Sequence, residues 1–92
     1  MRKRKELFKD KVAIITGAGS GIGRALALQL AEKRARLIIC DINQERIKQT
    51  RKELEQKGAE VRAWQVDVSD YQAVKKMVDA TLEEFGRLDY NF

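Results

Sequence analysis

The chain predicts an α/β domain: four parallel strands in spatial order 3-2-1-4, with helices on both faces, forming three layers. Strand-length apolar runs alternate with helical patterns across short connections, as βαβ units require. The run Leu37-Ile38-Ile39-Cys40 is apolar without a break, as expected of a strand covered on both faces. Right-handed crossovers then put the first two helices on one face and the third on the other.

Each element has its own signal. After Leu7-Phe8 and Lys9-Asp10-Lys11, the residues Val12-Ala13-Ile14-Ile15-Thr16 form the first strand. The first helix is expected over 21–33. Ile22, Leu26 and Leu30 recur on one face, and the small residues Gly23, Ala27 and Ala31 let it lie close to the sheet. The second strand covers 37–41. Asn43 is a suitable N-cap for the second helix, whose Ile47, Thr50 and Leu54 share a face and whose stop is Gly58. A third strand is expected over 61–68. Ser69 with Gln72 reads as a capping box for a third helix, which carries Val74, Met77, Val78, Thr81, Leu82 and Phe85 in one stripe and ends at Gly86. Residues 88–92 begin a fourth strand.

Between the first strand and first helix stands Thr16-Gly17-Ala18-Gly19-Ser20-Gly21-Ile22-Gly23. Glycine takes positive φ readily and lets a backbone come close to a ligand. A helix N-terminus adds unpaired N–H groups and a partial positive charge, so a glycine turn here suits a phosphate. The spacing is not G-x-G-x-x-G, because Ile22 lies three after Gly19 and Arg24 three after Gly21. No Gly-Lys-Ser/Thr closes the run, which excludes a P-loop. The pattern present is T-G-x-x-x-G-x-G, carried by Thr16, Gly17, Gly21 and Gly23. With the strand order above, it marks the first half of a Rossmann sheet, β-α-β-α-β-α-β, whose ligand sits beyond the carboxyl ends of the strands.

Asp41 closes the second strand, eighteen residues after Gly23. An acid at that place hydrogen-bonds the adenosine ribose hydroxyls and repels a 2′-phosphate, which selects NAD over NADP. The other role open to it is a carboxylate of helix N-cap type.

Composition narrows the function classes. The 92 residues hold 19 basic and 14 acidic side chains, a net charge of +5, with 43% hydrophobic residues. Part of the positive excess lies in Arg2-Lys3-Arg4-Lys5. No aromatic residues interleave with it, so a solvated tail is expected rather than a nucleic-acid site. No apolar run approaches a membrane span, and no apolar segment follows the basic head to make a secretory signal. One cysteine and no histidine exclude an internal disulfide, a zinc constellation and a thiol–histidine pair. Cys40 is expected to pack as a small apolar side chain, in a soluble cytoplasmic protein.

The sequence resembles the short-chain dehydrogenase/reductase family in Lys11-Val12-Ala13-Ile14-Ile15 with the glycine turn, in Asp67-Val68-Ser69-Asp70 and in Phe85-Gly86-Arg87-Leu88-Asp89. The resemblance implies NAD or NADP bound on the glycine turn, and hydride transfer between nicotinamide and an alcohol or carbonyl. It implies that Gly17, Ser20, Gly21, Ile22, Gly23, Asp41, Asp67 and Val68 form the cofactor site. Ser20 stands where NADP-preferring relatives often carry a basic residue. Asp67 resembles the family carboxylate that faces the adenine amino group; an aspartate bonding the turn at Ser69 is equally consistent with the residues.

The family continues its fourth strand into N-N-A-G and later supplies a serine and a Tyr-x-x-x-Lys pair. Neither follows Asp89-Tyr90-Asn91-Phe92 here. The literal Tyr71-x-x-x-Lys75 falls on the start of the third helix and reads as an exposed i, i+4 pair. The expectation is a basic tail over 1–8 and a Rossmann half-domain over 9–92, truncated at the fourth strand. It has no catalytic or metal-binding residues of its own and no turnover alone. A non-catalytic nucleotide-binding or interaction module is the alternative. The fourth strand, left as a sheet edge, is expected to favour self-association.

Overall fold

The computed structural model describes residues 7–92; the basic run Arg2-Lys3-Arg4-Lys5 lies outside the described residues. The elements follow the order β1 (Val12–Thr16), α1 (Gly21–Glu32), β2 (Arg36–Asp41), α2 (Gln44–Gln56), β3 (Val61–Gln65), α3 (Tyr71–Phe85) and β4 (Tyr90–Asn91). The sheet order is β3-β2-β1-β4, with every pair parallel. In register, Val12 faces Arg36, Leu37 faces Val61 and Ala13 faces Tyr90.

Alternate side chains of the central strands feed two cores. Ala13, Ile15, Leu37 and Ile39 pack with Ala27 and Leu30 of α1 and with Ile47 and Leu54 of α2. Val12, Ile14, Ile38 and Cys40 pack on the opposite face with Met77 of α3. Burying an Ile or Leu side chain contributes ~1.5–3 kcal/mol each, so β1 and β2 anchor the domain. Truncating fully buried Leu54 to Ala would cost ~2–5 kcal/mol.

The local signals explain most helix ends. The Asn43 side chain accepts from the Arg46 N–H at 3.0 Å and caps α2. Gly58 beyond α2 and Gly86 at the end of α3 have φ of 83° and 72°, left-handed values that glycine adopts without strain. α3 differs from expectation at its start. The Ser69 N–H and hydroxyl both donate to Asp67 Oδ1, at 2.9 and 2.7 Å. Asp70 takes the cap instead, accepting from the Ala73 N–H at 3.1 Å.

Three other features depart from the sequence expectation. β3 stops at Gln65, because its partner β2 stops at Asp41; Val66 adds one more bond, to the Asp41 carbonyl at 3.1 Å. Ile22 is 89% exposed rather than packed in the α1 stripe. It lies on the first turn of α1, past the end of β1, so no strand lies beneath it. The buried face of α1 instead includes Ala27 and Leu30. On α3, Met77 and Thr81 are buried while Leu82 is exposed.

β4 is held by more than its ladder. Its neighbour Asp89 donates its N–H to the Val12 carbonyl at 2.8 Å and accepts the Val12 N–H on Oδ2 at 2.9 Å. Phe92 N–H bonds the Ile14 carbonyl at 2.8 Å. The Tyr90 ring lies 5.4 Å from that of Phe8 and 6.0 Å from that of Phe92.

Candidate functional site

The carboxyl ends of β1 and β2, with the segment following β3, surround a cavity of about 200 Å³ lined by Gly17, Asp41, Ile42, Val66, Asp67 and Val68. Apolar walls with two carboxylates suit one flat polar ring; whole-ligand pockets are larger, ~300–1,000 Å³. Ile42 and Val68 are 63% and 61% exposed, as side chains beyond the end of a sheet are. Two larger hollows, about 460 and 440 Å³, lie elsewhere. One is at the β3 edge beside Trp64 and Arg62, the other at the opposite end of the strands beside Arg34 and Gly58.

The glycines of the turn do different work. Gly17 and Gly21 have φ of 63° and 58°, and a Cβ on either would meet nothing within 4 Å. Their need for glycine is conformational. Gly23 is needed for packing: a Cβ there would run into the Gly17 carbonyl, 2.8 Å from its carbon. Ala18 fixes the turn to β2 by donating its N–H to the Cys40 carbonyl at 3.0 Å.

The turn leads into a helix start unlike the other two. Ser20 is the N-cap of α1, yet its side chain makes no cap hydrogen bond, and the first turn carries no acidic residue. α2 and α3 are both capped by side chains. The first N–H groups of α1 therefore retain the donor capacity and positive potential of a helix N-terminus.

Asp41 ties this turn to α2. Its Oδ2 accepts from the Gly19 N–H and its Oδ1 from the Asn43 N–H, both at 2.9 Å. A carboxylate offers about four acceptor positions, so two of these bonds leave capacity for ligand hydroxyls. Asp67 accepts both bonds from Ser69, which hold its carboxyl below the usual aspartate range. It is thus an ionised rim group that also shapes the turn, as the second sequence alternative describes. Cys40 is buried beneath the site, and burial, followed by the Asp41 charge, pushes its thiol pKa up. That keeps it an inert packing group.

The structure thus brings Gly17, Asp41, Asp67 and Val68 to one cavity and sets Ser20, Gly21, Ile22 and Gly23 at the adjoining helix start. Sequence reasoning missed Gly19, Ile42 and Val66. Gly19 had a signal in being the one glycine of the turn's four that the T-G-x-x-x-G-x-G pattern does not use. A Cβ there would stand 2.7 Å from Asp41 Oδ2 and 2.9 Å from Arg46 Cβ. Tyr71, 71% exposed, and Lys75, paired with Asp79 at 2.8 Å, sit on the outer surface of α3. Among the described residues no group of three or more His, Cys, Asp or Glu is placed to hold a metal ion.

The family model described as short chain dehydrogenase matches residues 11–90. The chain belongs to that family. Levodione reductase of Leifsonia aquatica is 42% identical over 84 residues, covering 89% of this chain and 32% of the relative. The solved short-chain dehydrogenase/reductase of Burkholderia phymatum in complex with NAD superposes with a TM-score of 0.89 at 41% identity. That match covers 92% of this chain and 30% of the other. NAD-bound xylitol dehydrogenase gives 0.88 at 38% identity, over 92% and 33%. The chain thus spans about a third of the length of these oxidoreductase-family relatives, corresponding to their N-terminal portion.

Proposed function

We propose that this chain is the NAD-reading portion of a short-chain oxidoreductase. The observation that carries the proposal is the pairing of a glycine turn at an uncapped helix start with Asp41 at the end of β2, bonded to that turn through Gly19. The N–H groups of Gly21, Ile22 and Gly23, with the Ser20 hydroxyl, hold the pyrophosphate. Asp41 accepts the adenosine ribose hydroxyls. The adenine enters the cavity between Ile42 and Val68, with Asp67 at its rim. When bound, the nicotinamide supplies a hydride acceptor or donor for an alcohol–carbonyl pair.

The fit is supported by the space left at Gly17 and Gly21, where added side-chain atoms would occupy the approach to the turn. The Asp41 charge disfavours a 2′-phosphate, so NAD is preferred over NADP. For the 92 residues alone, binding rather than turnover is the proposed activity: among the described residues, Lys75 of the Tyr71-x-x-x-Lys75 pair is engaged by Asp79 at 2.8 Å and neither residue lines the cavity. A cytoplasmic setting suits the single unpaired Cys40, and no described helix is long and apolar enough to cross a membrane. Self-association through the outer edge of β4 belongs to the same reading.

Calorimetric titration of the chain with NAD and with NADP tests the proposal. Saturable NAD binding, weaker for NADP, is expected. No NAD binding by a folded chain overturns it.

A further inference from the structure

β3 is the edge of the sheet opposite β4, and at five residues it is the longer of the two edges. Its hydrogen-bond phase is fixed by β2. The Leu37 N–H donates to the Glu60 carbonyl and the Val66 N–H to the Asp41 carbonyl. Groups bonded to a parallel neighbour recur at every second residue, so Glu60, Arg62, Trp64 and Val66 turn theirs to β2. Val61, Ala63 and Gln65 turn theirs outward, at the edge that Arg51 and Glu55 of α2 and Glu84 of α3 flank. Natural edges are commonly guarded by proline, lysine or a free charge. β3 has neither proline nor lysine. Its one charge, Arg62, is bonded to Glu84 at 2.7 Å and lies 5.4 Å from the Phe85 ring centroid.

We propose that β3 is a dimerisation edge whose occupant is β3 of a second copy, antiparallel about a twofold axis at Ala63. The two four-stranded sheets then join into one. In this register Val61 exchanges main-chain bonds with Gln65 of the second copy, and Ala63 with its own counterpart. Centring at Ala63 engages all three outward residues and avoids setting Arg62 against Arg62. Between the bonded pairs, Arg62 stands opposite Trp64 of the second copy, where a guanidinium lies well over an indole. Both side chains are on the α3 face: Trp64 packs with the Met77 core and Arg62 bonds Glu84. The helices are complementary too. Arg51 and Glu55 are exposed and one turn apart on α2. The twofold reverses their order, setting each Arg51 toward Glu55 of the second copy.

Trp64 is the single tryptophan of the chain, so its emission reports on this edge. The test uses the full 92-residue chain carrying Phe92→Lys, which closes the β4 edge, in sedimentation and fluorescence measurements across a concentration series. Mass should rise to a plateau of two copies, and Trp64 emission should move to shorter wavelength over the same range. Arg51→Glu sets like charges across the axis and should raise the midpoint concentration by about tenfold, because the twofold doubles each exposed pair. Adding Glu55→Arg should restore it. Gln65→Pro removes an outward donor without touching a bond to β2 and should also weaken the dimer. A chain that stays monomeric at every concentration overturns the proposal, leaving the edge to a strand of another protein or to none. A dimer whose Trp64 emission does not move, or that ignores both Arg51→Glu and Gln65→Pro, is joined elsewhere and overturns it equally.

Discussion

Replacing Asp41 by Ala removes a single carboxylate with two kinds of work, and the two can be separated by the ligand used. Within the protein, Asp41 accepts the Gly19 and Asn43 N–H groups at 2.9 Å each. Toward NAD it is assigned the ribose hydroxyls. Hydrogen bonds to a charged group contribute ~1.5–3 kcal/mol; Asp41 is only partly buried, so solvent screening favours the low end. One such bond at that end corresponds to about tenfold in affinity. Asp41→Ala should therefore weaken NAD by about tenfold or more in a calorimetric titration. If the loss arises at the ribose, NADP should bind as well as before or better, because the repelling charge has gone. If the glycine turn merely loosened, both ligands should weaken together. NAD affinity within about twofold of the unaltered chain would refute the ribose assignment.

Other perturbations reach the remaining supports. Gly17→Val and Gly21→Val place side chains at φ of 63° and 58° with open space around them. They should cost roughly 1–3 kcal/mol of backbone strain and abolish nucleotide binding, with circular dichroism showing the fold retained. Gly23→Val should instead lower the melting temperature sharply, since its Cβ meets the Gly17 carbonyl. Asp89 is held at about 2 by the Arg87 guanidinium and then by the Val12 N–H. Its folded-state pKa lies below the ordinary aspartate value of 3.8, so its contribution is full above that value and is lost as pH falls through 2. Chemical denaturation between pH 5 and 2 should show this loss, and Asp89→Asn should flatten that part of the profile. The outer edge of β4 carries unpaired backbone groups beside exposed Phe92, so light scattering should show mass rising with concentration. Phe92→Lys should suppress that rise; a constant monomer mass in the unaltered chain would remove the edge from consideration.

The parts of the fold governed by neighbours in sequence were legible in advance. Strand order followed from alternation and crossover handedness, and Asn43, Gly58 and Gly86 marked helix ends because capping is a local matter. Asp41 and the glycine turn were legible as separate features, each at the end of an element. Their connection was not. The Gly19–Asp41 hydrogen bond joins residues 22 apart and depends on how β1 and β2 align. The Ser69 capping box failed because Asp70, one residue later, accepts the Ala73 N–H and caps α3, while Ser69 turns back to donate to Asp67. Ile22 had the right period to be buried, but periodicity does not say where the sheet beneath a helix ends. Ile42 and Val66 carry no motif, and only the closing of strand ends around a common cavity distinguishes them.

Amide chemical-shift mapping of the folded chain during titration with NAD tests the central claim most directly. The account predicts saturable shifts at Gly17, Ser20, Gly21, Ile22 and Gly23, at Asp41 and Ile42, and at Asp67 and Val68. Residues at the opposite end of the strands, such as Arg34 and Gly58, should stay still. Shifts confined to that opposite end or to the β3 edge, or none at saturating NAD, would contradict it.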